Sequence, residues 1–238
     1  APALTISPDD GTSLTILMDY NKRDGTGAKG YPYGVNMDLN TFTGEPDFNH
    51  FNSRQTNLGY LFEHQFDNGI TVRQNARYTH TDLNYEEVYG ASIDPTANRE
   101  AFAVYGKSDR FAIDNQVEYE GSWENFDSRT LVGLDYTDDN TREDILYGSA
   151  SGIDIFDPTY CGRACINLGP YVDWRVKQQA LGIYAQEQLT WNDRWMLTLG
   201  ARYDNVHSTA EYYDTDTSDR NTADALTKRV GLTYKATD

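Results

Sequence analysis

The stretch LGIYAQEQLTWNDRWMLTLGARYD, residues 181–204, alternates in character and does not recur at helical spacing. Leu181, Ile183, Ala185 and Leu189 share one parity, against Gly182, Tyr184, Gln186 and Gln188. Beyond the polar tip WNDR, Trp195, Leu197, Leu199, Ala201 and Tyr203 share a parity, against Thr198, Gly200, Arg202 and Asp204. The pattern predicts a hairpin with one apolar and one polar face. A soluble sheet turns its apolar face to a protein core. An outer-membrane barrel turns it to lipid and its polar face to a hydrated bore.

The same alternation predicts strands at about 12–21, 55–66, 70–81, 109–119, 129–137, 178–190, 194–205 and 228–235. One parity gathers Leu14, Ile16 and Met18, then Leu58, Tyr60, Phe62 and Phe66, then Ile70, Val72, Ala76 and Tyr78. It continues through Phe111, Ile113, Val117 and Tyr119, then Val132, Leu134 and Tyr136, and closes with Val230, Leu232 and Tyr234. The other parity carries Arg73, Arg77, Asp114, Glu118, Asp135, Arg202 and Asp204. Four polar residues, His64, Gln74, Asn115 and Glu187, interrupt the apolar parity.

The connections alternate in length. DNG (67–69), GSWENFD (121–127) and WNDR (191–194) are short, whereas 22–54, 82–108, 138–177 and 206–227 are long and polar. Long structureless loops are uncommon in compact soluble domains. Tight turns at one end and long loops at the other are the habit of outer-membrane barrels, whose tilted strands need about 9–11 residues to cross. Phe66, Trp123, Phe126, Trp191 and Trp195 lie beside the short turns, where an aromatic girdle belongs. The expected fold is all-β: an antiparallel, up-and-down transmembrane β-barrel segment of about eight strands.

Bulk numbers sharpen this picture. Hydrophobic residues make up 38% and mean hydropathy is −0.70, with no apolar run long enough for a transmembrane helix. Alternation halves the apparent hydropathy of a spanning strand, so a barrel stands. The chain has 18 Tyr, 9 Phe and 4 Trp, and aliphatics are sparse for a large packed core. A net charge of −17 argues against nucleic acid as a partner. The start APALTISPDD shows neither the basic opening nor the apolar run of a secretory signal, as expected of a processed or excised chain.

Cys161 and Cys165 lie in CGRAC, close enough to close a small disulfide loop in an oxidising compartment. The rival reading is half of a zinc site, which needs two further ligands, and no histidine lies near in sequence. GTGAKG (25–30) resembles a dinucleotide fingerprint, but YPYG follows where a helix must start. DTDTSD (214–219) lacks the glycine and glutamate of a calcium loop, and GSASG (148–152) has Ser151 one place late for a nucleophile elbow. Nothing assembles a nucleophile, base and orienter, so no enzyme is expected. GYPYG (30–34), EEVYGASIDP (86–95) and ILYGSASGIDIFDP (145–158) present tyrosines on backbone read as irregular, a resource for recognising a rigid solute.

Several strings together resemble the barrel of TonB-dependent siderophore receptors of the ferrichrome and hydroxamate type. They are LTISPDDGTSLTILMDYNKRD, LGYLFEHQFDNGITVRQNARYTH, TLVGLDY, the loop ending IFDPTY, and KQQALGIYAQEQLTWNDRWMLTLGARYD. The resemblance implies a barrel of ~22 strands around a plug. Residues 1–238 then look like part of the barrel domain, with no plug segment. It further implies ferric siderophore uptake across the Gram-negative outer membrane, energised by TonB through the plug, with the long loops extracellular and lipid or lipopolysaccharide around the wall. No cofactor is implied, since the iron arrives inside its chelator as substrate. Ligand contacts carried over from the family fall at Tyr31, with Tyr33 beside it, at Tyr89 and at Tyr147. Lys29 and Ala91 stand at positions that are aromatic in similar receptors. Two other readings compete: a self-contained eight-strand outer-membrane barrel with a structural or adhesive role, and a soluble β-sandwich that binds carbohydrate.

Overall fold

The computed structural model describes residues 2–26 and 30–236. They form one nine-stranded sheet: β1 (Ala3–Asp9), β2 (Thr12–Gly25), β3 (His50–Gln65), β4 (Ile70–Tyr89), β5 (Arg99–Trp123), β6 (Phe126–Ala150), β7 (Ile166–Trp191), β8 (Trp195–Tyr212) and β9 (Thr217–Tyr234). Each strand pairs antiparallel with the next, and β1 and β9 are the two edges. Among the described residues, no helix is long and apolar enough to cross a membrane. Turns at one end are tight. In WNDR, Asn192 (φ 50°) and Asp193 (φ 55°) take the left-handed conformation that these two residue types tolerate best.

The register joins the predicted apolar positions into a single face. Ile16 lies opposite Tyr60, which lies opposite Ala76, and the row continues through Ile113, Tyr136 and Leu181. Nearer the turns, Leu189 faces Leu197, which faces Leu232. The four polar intruders on this face are all partnered. The Tyr60 hydroxyl donates to Gln74 (2.5 Å), Gln74 donates to Asn115 (2.6 Å), and Asn115 donates to the Leu134 carbonyl. Glu187 accepts from the hydroxyls of Ser128 and Thr130, both at 2.6 Å, and His64 pairs with the Thr12 hydroxyl at 2.8 Å.

Rings border the apolar band at both ends. Trp123 stacks on Phe126 (4.6 Å between centroids) beside the short turns, and Trp195 meets Tyr234 at 4.4 Å. At the loop end, the border runs from Tyr20 on β2 to Tyr203 on β8. Followed rung by rung, Tyr20 arrives at Thr209, six residues beyond Tyr203. With strands ~4.8 Å apart and a rise of ~3.4 Å per residue, that stagger corresponds to a strand tilt of about 35°, as membrane barrels require.

The structure corrects the expected strand limits. The described residues form nine strands, because Ala3–Asp9 pairs with β2 around the turn at Asp9–Gly11. The strands also run far past membrane-crossing length: β5 and β6 have 25 residues each and β7 has 26. Most of 82–108, 138–177 and 206–227 is therefore paired backbone, and the long connections shrink to 90–98, 151–165 and 213–216. Alternation marks a strand only where one face meets an apolar medium. Above that level no hydrocarbon selects one parity, so the sequence contrast fades while the ladder continues.

Candidate ligand-binding site

On the polar face, the loop ends of β3 to β7 carry a run of rings. Phe51 and Tyr85 lie 5.3 Å apart edge to face, Tyr85 and Phe102 4.9 Å, and Tyr89 and Phe102 5.9 Å. Such spacings are favourable for aromatic pairs. The register explains the assembly: Phe51 faces Tyr85, Tyr89 faces Glu100, and Phe102 faces Tyr147. A bulge opposite Ile145 and Leu146 inserts an extra residue in β7 and brings Tyr171 to 5.9 Å from Tyr147. The result is an aromatic wall on a rigid ladder.

Carboxylates thread this wall. The Tyr147 hydroxyl donates to Glu100, and that bond, together with one to Tyr89, pushes the ionisation of Tyr147 well above the ordinary tyrosine value. Tyr85 donates to Glu87, and the Trp174 indole donates to Glu143 at 2.9 Å. Nearer the turns the same face is laced with ion pairs. Arg73 bridges Glu63 (2.6 Å) and Glu118 (3.2 Å), Arg129 joins Glu118 (2.9 Å), and Arg202 clamps Asp135 and Asp204, both at 2.6 Å.

The first long segment, 30–49, folds over the opposite face above the apolar band. Phe48 packs there on Val88, Ala101 and Ala150, with Ile166 and Leu168 alongside. A buried ion pair pins it. Arg99 (1% exposed) donates to Glu45 (0% exposed) at 2.5 Å, to the carbonyls of Thr43 and Gly44, and to that of Ser151. Cys161 and Cys165 are joined by a disulfide, with Cα atoms 5.7 Å apart. The loop it closes reaches the same knot: the Gly162 amide donates to Glu45 at 2.8 Å, and Arg163 pairs with Glu86 above the Phe48 ring.

The sequence-predicted site residues divide accordingly. Tyr89 and Tyr147 come together in the aromatic wall, but on strands: Tyr89 ends β4 and Tyr147 lies within β6, not on irregular loops as read from their glycine-rich surroundings. Tyr31 and Tyr33 sit on the unpaired segment after β2. Tyr31 donates to the Leu39 carbonyl at 2.6 Å and Tyr33 is fully exposed. Among the described residues, no ring contact joins either to Tyr89 or Tyr147. Lys29 and Gly27 lie outside the described residues. Ala91 is buried against Ile153 and Ile155 with Val35 and Met37, so its side chain ties connections together. Phe51, Tyr85, Glu100, Phe102, Tyr171 and Trp174 were not singled out. Following the parity of β4 and β5 past the apolar band would have found three of them, Tyr85, Glu100 and Phe102.

Comparison with known proteins agrees with this architecture. The family model described as TonB dependent receptor-like, beta-barrel, matches residues 3–238. The ferrioxamine B receptor of Salmonella typhimurium strain LT2 is 36% identical over 217 residues, covering 86% of this chain and 30% of the receptor. The ferrichrome outer membrane transporter/phage receptor of Escherichia coli K12 is 27% identical over 276 residues, covering 98% of this chain and 36% of the transporter. The chain thus spans about a third of the length of the curated relatives it matches. The siderophore receptor PiuA of Acinetobacter baumannii superimposes with a TM-score of 0.81 at 17% identity, covering 99% of this chain and 39% of that one. An open antiparallel sheet, apolar on one face and polar on the other, with a family match along nearly its whole length, belongs to the TonB-dependent receptor β-barrel family.

Proposed function

We propose that this chain is a wall of an outer-membrane receptor that takes up a ferric siderophore of the hydroxamate type. The observation that carries the proposal is the run of rings Phe51, Tyr85, Phe102, Tyr89 and Tyr147 on the bore-facing side, at the end where the long connections lie. Flat rings on a rigid ladder offer large contact area at small entropic cost. The relatives named for ferrioxamine B and ferrichrome support the choice of chelate. In this reading segments 30–49, 90–98 and 151–165 face the outside of the cell. The apolar face of β2–β9 meets lipid and, in the outer leaflet, lipopolysaccharide. Iron enters already chelated, as substrate, and the wall makes no bond to the metal. Release through the bore follows movement of a plug driven by TonB. The protein is a receptor and transporter with no catalytic step.

The test is equilibrium binding of ferric ferrioxamine B and ferric ferrichrome to the full-length receptor and its variants. Tyr89→Ala and Tyr147→Ala each weaken binding of the preferred chelate by about ten-fold, the size of one lost aromatic contact. Both variants retain the heat-modifiable electrophoretic mobility of a folded barrel. Unaltered affinity in folded Tyr89→Ala and Tyr147→Ala receptors removes the aromatic wall from the site. Tyr31→Ala separately tests the contribution of the segment after β2.

A further inference from the structure

Among the described residues, Glu187 is the one carboxylate that β2–β9 place on the apolar face between its two aromatic borders. Its company is unlike that of the acids at the turn end of the opposite face. There Glu63, Glu118, Asp135 and Asp204 are all paired to guanidinium groups. Glu187 instead accepts from two hydroxyls, Ser128 to Oε1 and Thr130 to Oε2, both at 2.6 Å. Among the described residues, no lysine, arginine or histidine lies at ion-pair distance from it.

The register fixes the depth of that charge. Thr130 lies opposite Glu187, Ser128 opposite Leu189, and Phe126 opposite Trp191. To reach Ser128 the carboxylate leans toward the turns, so its charge lies one same-face step from the exposed rings of Phe126 and Trp191. Rings of this kind mark the boundary between hydrocarbon and headgroups. On the side away from the turns, Leu199 lies opposite Glu187 and Ala185 opposite Ala201, which leaves a shallow apolar trough bordered by Val230.

Two hydroxyls occupy lone pairs of the carboxylate but leave its charge in place, and an uncompensated charge beside hydrocarbon is costly. The neighbouring ring faces also attract cations. A cation alone answers the charge but leaves the trough empty. An amphiphile with a cationic head and a hydrocarbon tail answers both, and it is what this face meets in a bilayer.

We propose that Glu187, Ser128 and Thr130 form a seat for a phospholipid whose headgroup ends in a primary ammonium, in the leaflet on the turn side. The ammonium donates to Glu187 beside Phe126 and Trp191, and an acyl chain lies along the trough at Ala185 and Ala201. The inference rests on the outer-membrane reading above and concerns the face opposite the aromatic wall.

The experiment titrates delipidated full-length receptor in detergent with dioleoyl phosphatidylethanolamine, phosphatidylcholine or phosphatidylglycerol, and counts bound lipids by native mass spectrometry. The ethanolamine lipid binds its first site about ten-fold more tightly than the other two. The choline nitrogen has no proton to donate, and the glycerol headgroup carries no cation. In Glu187→Gln, which keeps the size of the side chain and one hydroxyl partner but not the charge, the three lipids bind alike. That variant binds ferric chelate as the parent does, since Glu187 lies on the far face. Equal affinity for the three lipids in the parent receptor overturns the inference without recourse to any variant, and leaves the siderophore reading intact. An ethanolamine preference that persists in folded Glu187→Gln receptor overturns it too. A receptor that selects the ethanolamine lipid through Glu187 yet binds no ferric chelate upholds the seat and sinks the siderophore reading alone.

Discussion

Gly133 on β6 faces Tyr184 on β7, and a methyl group added there would lie 2.2 Å from the tyrosine ring. The ring cannot simply leave, since its hydroxyl donates to Asp114 at 2.7 Å on the next strand but one. Gly133→Ala therefore forces out a bore-side bond and lowers stability by about 1–3 kcal/mol. The urea midpoint of the full-length receptor in detergent reads this directly, and an unchanged midpoint would show that Tyr184 rotates away freely. Glu45 and Arg99 make a second residue-scale case. Removing one partner leaves the other charged and buried, which costs about 3–5 kcal/mol locally. Glu45→Ala should leave the barrel inserted while making 30–49 an early target of limited proteolysis. Protection equal to the parent would mean that the apolar contacts of Phe48, Val35 and Met37 hold the segment without the ion pair. At this scale the sequence was a partial guide. Tyr89 and Tyr147 are singled out by their glycine-rich surroundings and by the resemblance, whereas nothing local marks Glu45 as the partner of a residue 54 positions away.

Strands are legible where a single face is wet. Leu197 and Leu199 against Thr198 and Gly200 mark β8 because hydrocarbon selects one parity and water the other. Spin labels on full-length receptor in liposomes should thus report oxygen-rich lipid at Leu197 and Leu199, and water or plug at Thr198 and Gly200. A uniform response would end the assignment of faces. The same physics explains what was missed. From Asp82 to Tyr89, β4 continues to pair with β5, but one side carries the rings and carboxylates of the wall and the other passes under segment 30–49 at Val88, so no hydrocarbon selects one parity and no apolar rhythm results. The aromatic wall sits in this silent zone. Tyrosines there looked like loop residues because glycine and proline follow closely, as in VYGASIDP.

Across the whole molecule, the ladder order β1 to β9 leaves both outer strands without a second neighbour. Unpaired backbone cannot face lipid, and an apolar face needs lipid or detergent. Produced alone, this 238-residue chain should therefore aggregate on dilution from urea into detergent-free buffer, whereas full-length receptor refolds in detergent micelles; a monodisperse, water-soluble monomer would instead favour a sandwich. The all-β up-and-down plan was readable from periodicity and turn lengths. The folding of 30–49 onto the outside was not, because it depends on contacts that join four separate strands.

The chain of bonds from Tyr60 through Gln74 to Asn115 crosses the middle of the apolar band. Each amide there is tolerated by oil only because its neighbour occupies it. Replacing Asn115 by leucine would strand the nitrogen of Gln74 in hydrocarbon, and replacing Gln74 would do the same to Tyr60. Natural drift at these three positions should accordingly proceed in company, with the trio kept or exchanged for aliphatics as one block.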